Sequence, residues 1–344
     1  MLVNGGIWET ETLASGCISR TLLDRAAVTD HASKSNILES PGTRMSLEAE
    51  LIRLGVRLFI RTAERTGVSI AQRRTRMEAY SRRVPPPPAG TTIIQKALGS
   101  VPAERLTRPL SNSDRVAFFL HGGGYITGGP KLYRQVTWRI AEATHAAVIS
   151  VDYPLAPEHP FPAAINDAFA AWRALLAEGF DPRHCAILGD SAGGGLALSL
   201  VLKLRDERVP LPAAVVAISP WTDLAITGLS ARAGASDPML NANELGPMAA
   251  EYLAAADPRN PYASPLYGDL YGLPPTLIQV GGDEILRDDA TRMAEKLENA
   301  GCAVALEIWP RMPHVWHAFA PILPEARHAI ARIGEFVRQF TELS

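Results

Sequence analysis

A mostly parallel α/β sheet with helices on both faces is the fold this sequence predicts, and three observations carry the prediction. Short β-rich runs alternate with helical stretches from residue 92 onward. Runs such as Ala214-Val215-Val216-Ala217-Ile218 are apolar without polar alternation, as strands buried on both faces are. The apolar run 185–188 passes through Gly189-Asp190-Ser191-Ala192-Gly193 into a small-residue helix over 196–204, which reads as strand, sharp turn and helix.

The elements follow in order. Residues 1–44 mix Gly, Ser, Thr, Asp and Glu without a sustained period and open with neither a basic start nor a long apolar run. They are expected to be a disordered tail or an over-long start, with Met45 as the alternative initiator. Leu47, Leu51, Leu54 and Leu58 then recur at helical spacing, beside a row formed by Arg53, Arg57, Arg61 and Arg65. This amphipathic helix reads as a lid element with its arginines in water or as a basic membrane-surface helix, and the interspersed glutamates favour the lid. A second arginine-rich helix is expected over 70–83, after which Pro85 to Pro88 stop helix formation and place a boundary near residue 90.

Beyond that boundary, strands are predicted over 92–98, 101–108 and 115–120, a helix over 133–144, a strand over 147–152 and a helix over 163–178. After the Ser191 unit come strands over 213–219 and 276–280, a helix over 289–301, a strand over 303–309 and a helix over 324–340. The pattern breaks between 224 and 261 into Ala, Gly, Pro and Asn-rich sequence with one helical piece over 244–256. The domain scheme is N-terminal cap helices over 45–90, a core in two parts over 91–224 and 263–344, and a cap insertion over 225–262.

A chain of 344 residues with 47% apolar and 20% charged residues can build a large core, and a net charge of -2 offers no electrostatic case for nucleic acid. Three scattered cysteines, Cys17, Cys185 and Cys302, suggest neither a disulfide framework nor a zinc site and favour a reducing, cytoplasmic setting. No internal repeat or transmembrane run is apparent.

Ser191, at the tip of its turn, is the candidate nucleophile, and such a serine needs a base, an orienting acid and an oxyanion hole. His31, His145, His159, His184 and His328 fall in the tail, helices or loops, where solvated or capping roles are the default. His314 and His317 follow the strand over 303–309, at the carboxyl end where ligands collect in such sheets. His314 is the chosen base, with His317 as the alternative. The acid is expected at Asp283, just after the strand over 276–280, with Glu284 pointing elsewhere and Asp288 capping the next helix. His121-Gly122-Gly123-Gly124-Tyr125 follows another strand, and the backbone N–H groups of Gly122, Gly123 and Ala192 are assigned to the oxyanion hole. A phosphate-cradling glycine loop is the competing reading, but no Lys-Ser/Thr or ribose-binding acid follows it.

With these residues in place, residues 45–340 resemble the bacterial hormone-sensitive-lipase-like esterases of the α/β-hydrolase superfamily. The resemblance rests on 121–125, Asp152-Tyr153-Pro154-Leu155-Ala156-Pro157-Glu158-His159-Pro160-Phe161-Pro162-Ala163, the Gly-Asp-Ser-Ala-Gly of 189–193, Ser219-Pro220-Trp221, 283–288 and His314, in that order. It implies an eight-stranded, mostly parallel sheet under a helical cap, hydrolysing short- to medium-chain acyl esters through a Ser-His-Asp triad, with no cofactor and no metal. Tyr125, Asp190, Val315 and Trp316 are expected around the substrate pocket, Asp190 as a hydrogen-bonding support. Many members carry His-Gly-Phe at the base, so Val315 and Trp316 here imply a bulkier wall and a different acyl range.

The same triad also suits an amidase, formamidase or lactonase, and the same scaffold suits a non-catalytic receptor, so an ester assay discriminates. The expected partner is a small ester, with no nucleic acid, no stable membrane insertion, and a homodimer as the oligomer.

Overall fold

The computed structural model describes residues 36–39, 46–63, 68–232 and 237–342. Among them nine strands form one sheet: β1 (Asn36–Glu39), β2 (Thr92–Leu98), β3 (Val101–Thr107), β4 (Asn112–Leu120), β5 (Ala146–Val151), β6 (Cys185–Asp190), β7 (Ala214–Ile218), β8 (Thr276–Gly281) and β9 (Val304–Trp309). Their order is β1-β9-β8-β7-β6-β4-β5-β3-β2. Strands β5, β6, β7 and β8 are buried at every position, which is why their sequences carry no polar alternation. All pairings from β5 through β4 and on to β9 are parallel, whereas β2 pairs with β3 and β3 with β5 antiparallel.

Eight of these strands meet the sequence expectation and β1 is an addition. Residues 36–39 pair in parallel with β9, Asn36 opposite Ala305, so this part of the expected tail belongs to the sheet. The alternative start at Met45 lies outside the described residues.

The described helices are α1 (Leu47–Ala63), α2 (Ile70–Ser81), α3 (Pro130–Thr144), α4 (Ala163–Ala177), α5 (Ala192–Asp206), α6 (Leu229–Arg232), α7 (Ala242–Leu253), α8 (Arg287–Asn299) and α9 (Pro324–Thr341). Trp172 of α4, Leu196 and Leu200 of α5 and Met293 of α8 fill the core on one face of the sheet. Ile140 of α3 with Ile333 and Val337 of α9 fill it on the other. No described helix is long and apolar enough to cross a membrane.

Helix α1 departs from the sequence reading in its orientation. Leu47, Leu51 and Leu54 are exposed, while Ala49 and Ile52 are buried in a third cluster with Trp309, Met312, Trp316 and Leu323. The buried face is set by what lies beneath it, the apolar loop after β9, and not by the largest side chains on the helix. The side chains of Leu58, Arg57, Arg61 and Arg65 lie outside the described residues.

Helices α2 and α7 meet above the loops that follow β4 and β5. Arg73 of α2 donates to both carboxylate oxygens of Glu244 in α7, at 3.1 and 2.7 Å. Arg74 donates to the carbonyls of Ile126 and Ala156, at 2.8 and 2.7 Å, and pairs with Glu158. These contacts hold two helical segments over the carboxyl edge of a parallel sheet, where such folds gather their ligands.

Candidate active site

Ser191 sits where β6 turns into α5, with φ 53 and ψ -122, a region that non-glycine residues rarely occupy. The turn closes because its glycines lie against main chain: a Cβ on Gly189 would run into the Gly193 carbonyl, and one on Gly193 into the carbonyls of Leu120 and His121. The second of these contacts brings the start of α5, with the Ala192 N–H, against the glycine loop that follows β4.

In that loop Gly122 is already committed. Its N–H donates to Asp190 Oδ1 at 2.9 Å, and the Tyr133 hydroxyl donates to Oδ2 of the same carboxylate at 3.0 Å. Gly122 is therefore not free to serve an oxyanion, contrary to the sequence expectation, and the next two N–H groups, of Gly123 and Gly124, take its place as candidates. His121 stacks on Tyr153 at 4.2 Å and its Nδ1 donates to the Gly122 carbonyl, while Tyr153 donates to the His121 carbonyl at 2.5 Å. Burial pulls the His121 pKa down to about 4, so it is a neutral brace for the loop. Burial also pushes the Asp190 carboxyl up to about 7, against the opposing effect of its hydrogen bonds.

The base loop and the acid loop meet at His314. Its Nδ1 lies 2.8 Å from Glu284 Oε2, and both side chains are buried. The carboxylate on the imidazole is thus Glu284 and not Asp283, which corrects the sequence assignment. Asp283 turns outward to Arg53 of α1, 2.8 Å away. The reason is local: the Gly281 N–H and the Ser219 hydroxyl both donate to Glu284 Oε1, each at 2.6 Å, and fold that side chain back under the turn. Burial opposes an imidazolium at His314, but Glu284, with Asp237 and Asp190 further away, outweighs it and leaves the pKa above 6.5.

Ser219 was missed as a site residue. Besides bonding Glu284, its hydroxyl accepts from the Val315 N–H at 3.1 Å, so one buried side chain ties the acid to the base loop. Its neighbour Ile218 accepts from the Ser191 N–H at 2.8 Å. The end of β7 thereby holds both the serine turn and the histidine loop. The signals in sequence were its place at the carboxyl end of a central strand and its membership of the Ser219-Pro220-Trp221 motif, neither of which assigned it a role.

The remaining expected residues are placed as follows. Tyr125 is buried in the main core, stacked on Tyr252 at 3.7 Å, and Trp316 packs on Trp309 in the cluster beneath α1. Val315, with φ 48, is buried beside Ile333 and Val337, and Asp190 is the hydrogen-bonding support that the sequence suggested, accepting from Gly122 and Tyr133. Asp288 lies one residue inside α8 and accepts from the Ser230 N–H at 2.9 Å, so it does not cap the helix. His317, the alternative base, is buried and donates from Nε2 to Gln279 Oε1 at 2.8 Å, away from the Glu284 carboxylate that His314 meets. The residue that does reach the glycine loop from above is Met248 of α7, whose thioether would contact a Cβ placed on Gly124. Among the described residues no group of His, Cys, Asp and Glu is arranged to hold a metal ion.

This sheet, with a serine on a strained turn and a histidine–carboxylate pair on neighbouring loops, defines an α/β hydrolase. The model of a family described as having the alpha/beta hydrolase fold matches residues 117–318. The chain is 48% identical over 235 residues to an acetyl-hydrolase of Streptomyces hygroscopicus, covering 68% of this chain and 79% of that one. An esterase from the bacterial hormone-sensitive lipase family superposes with a TM-score of 0.82 at 42% identity, covering 87% of this chain and 100% of that one. The crystal structure of EstE5 soaked with p-nitrophenyl butyrate matches at a TM-score of 0.82 and 40% identity, with coverages of 87% and 100%. The chain belongs to the bacterial hormone-sensitive lipase family of α/β hydrolases and is a carboxylic ester hydrolase.

Proposed function

We propose that the protein is a serine carboxylesterase for short- to medium-chain acyl esters, with Ser191 as nucleophile, His314 as general base and Glu284 as the carboxylate that orients it. The observation that carries this reading is the buried 2.8 Å contact of His314 Nδ1 with Glu284, on loops tied through Ser219 to the strand end that also holds the Ser191 turn. Glu284 holds the proton on Nδ1, which leaves Nε2 to accept the Ser191 proton as the hydroxyl attacks the ester carbonyl. The developing oxyanion is received by the N–H groups of Gly123, Gly124 and Ala192. His314 then returns the proton to the leaving alcohol, and water activated by the same imidazole releases the acid from the acyl-enzyme.

The helices over 45–90 and the insertion over 225–262 act as a cap, and Met248 limits acyl length by crowding the oxyanion loop from above. An acetyl-hydrolase among the relatives supports a small acyl group.

The test is turnover of a p-nitrophenyl ester series of increasing chain length, with the matched anilides alongside, on wild type and Ser191→Ala. The reading requires turnover that peaks among short chains, weak anilide hydrolysis, and loss of activity in the variant. An acyl-enzyme predicts a rapid burst of p-nitrophenol before the steady rate. Equal activity of Ser191→Ala would refute the mechanism.

A further inference from the structure

Four charges of alternating sign run across α1 from the base loop to the acid loop. Arg311, three residues before His314, lies 2.9 Å from Glu50 of α1. Glu50 stands 4.0 Å from Arg53 one turn further along. Arg53 lies 2.8 Å from Asp283, the chain neighbour of Glu284. The same helix buries Ala49 and Ile52 against Met312 and Trp316, on either side of His314, and Ser46 just before it donates from its N–H and hydroxyl to Glu325 at 2.8 and 2.9 Å.

We propose that Arg53 and Asp283 are positioning residues for the reaction: through Arg53–Asp283 and Glu50–Arg311, helix α1 braces the acid loop against the base loop and fixes the Glu284–His314 distance. The proposal rests on Glu284 being the orienting acid. Two links differ in character. The Arg53–Asp283 pair is largely enclosed, with side chains 17% and 24% exposed, whereas Arg311 and Glu50 are 50% and 44% exposed. Exposed pairs contribute little to stability and are weakened by salt, so the brace acts on geometry more than on folding. Geometry is where small errors are costly, since a displacement of about 1 Å at a reacting group lowers the rate by about 10²-fold. The brace also gives Asp283 a role in place of the one its sequence position suggested.

The test compares kcat and KM for p-nitrophenyl butyrate in wild type, Arg53→Gln, Asp283→Asn, Glu284→Gln and the charge-exchanged pair Arg53→Asp with Asp283→Arg, each with its thermal unfolding midpoint. The expected result is a fall in kcat of about tenfold in Arg53→Gln and Asp283→Asn alike, with KM little changed, and partial recovery in the exchanged pair, limited because Arg53→Asp also sets a carboxylate against Glu50. Raising sodium chloride from about 0.1 to about 1 M, which shortens the screening length from about 10 to about 3 Å, should slow wild type and leave the two single variants unaffected. If Arg53→Gln does not fold, Arg53→Lys, which keeps the charge, takes its place and should retain most of kcat. Wild-type kcat in both Arg53→Gln and Asp283→Asn, or a lower unfolding midpoint alone, overturns the brace while a collapse of Glu284→Gln leaves the acid assignment standing. A collapse in Asp283→Asn with an active Glu284→Gln instead overturns the acid assignment, and the brace with it.

Discussion

Replacing Glu284 by glutamine changes one atom and should remove nearly all activity. Two donors converge on Glu284 Oε1, the Gly281 N–H and the Ser219 hydroxyl, so the single amide oxygen of glutamine will take that position. The amide NH2 then faces His314 Nδ1, where the carboxylate oxygen stood at 2.8 Å. A donor facing that nitrogen forces it to accept, the ring proton moves to Nε2, and the base loses the lone pair it needs for Ser191. The corresponding change in serine-hydrolase triads costs about 10⁴ in turnover, equal to about 5.5 kcal/mol of transition-state stabilisation. Shape and buried hydrogen bonds are nearly preserved, so the unfolding midpoint should move little while p-nitrophenyl butyrate turnover collapses. A variant within tenfold of wild type would show that Glu284 does not set the tautomer of His314.

Three further outcomes follow from the site. His314 must be neutral to act and its pKa is raised above 6.5, so kcat/KM should fall on the acid side with a midpoint above 6.5; a midpoint below that value contradicts the Glu284 pairing. Asp190→Ala leaves the Gly122 N–H and the Tyr133 hydroxyl buried without an acceptor, at about 1–3 kcal/mol each, and should lower both the unfolding midpoint and kcat, whereas Asp190→Asn keeps an acceptor for Gly122 and should lose far less. The carboxyl of Asp190 is raised from 3.8 to about 7, so the folded state holds its proton more tightly and stability declines as pH rises across that interval; in Asp190→Asn that slope, read from unfolding midpoints against pH, should disappear.

Much of the fold could be read from sequence because its determinants are local. The fully apolar runs of β5 to β8 and the glycines around Ser191 each carry their own reason for the structure they adopt. Ser191 and His314 were legible as residues, but their partners only to the level of the loop. Asp283 and Glu284 sit side by side in an irregular turn, where no period says which carboxylate turns inward; Ser219, 65 residues away, decides it. The Gly122 N–H was lost to Asp190 across 68 residues, again a contact that neither stretch announces. Leucines at helical spacing likewise said that 47–63 is helical but not which face would be covered, because the surface beneath, around Trp309 and Met312, is assembled only on folding.

The bond from Asp190 to Gly122 has a consequence for how such an enzyme can diversify. In the proposed mechanism, the residue immediately ahead of Ser191 fastens the loop that receives the oxyanion, so attack and charge acceptance are coupled through one hydrogen bond. Mutational drift that shifts one shifts the other, and the chemistry is shielded from piecemeal tinkering. New substrate preferences then arise more readily in the overlying helices, where Met248 touches that loop only through its side chain at Gly124.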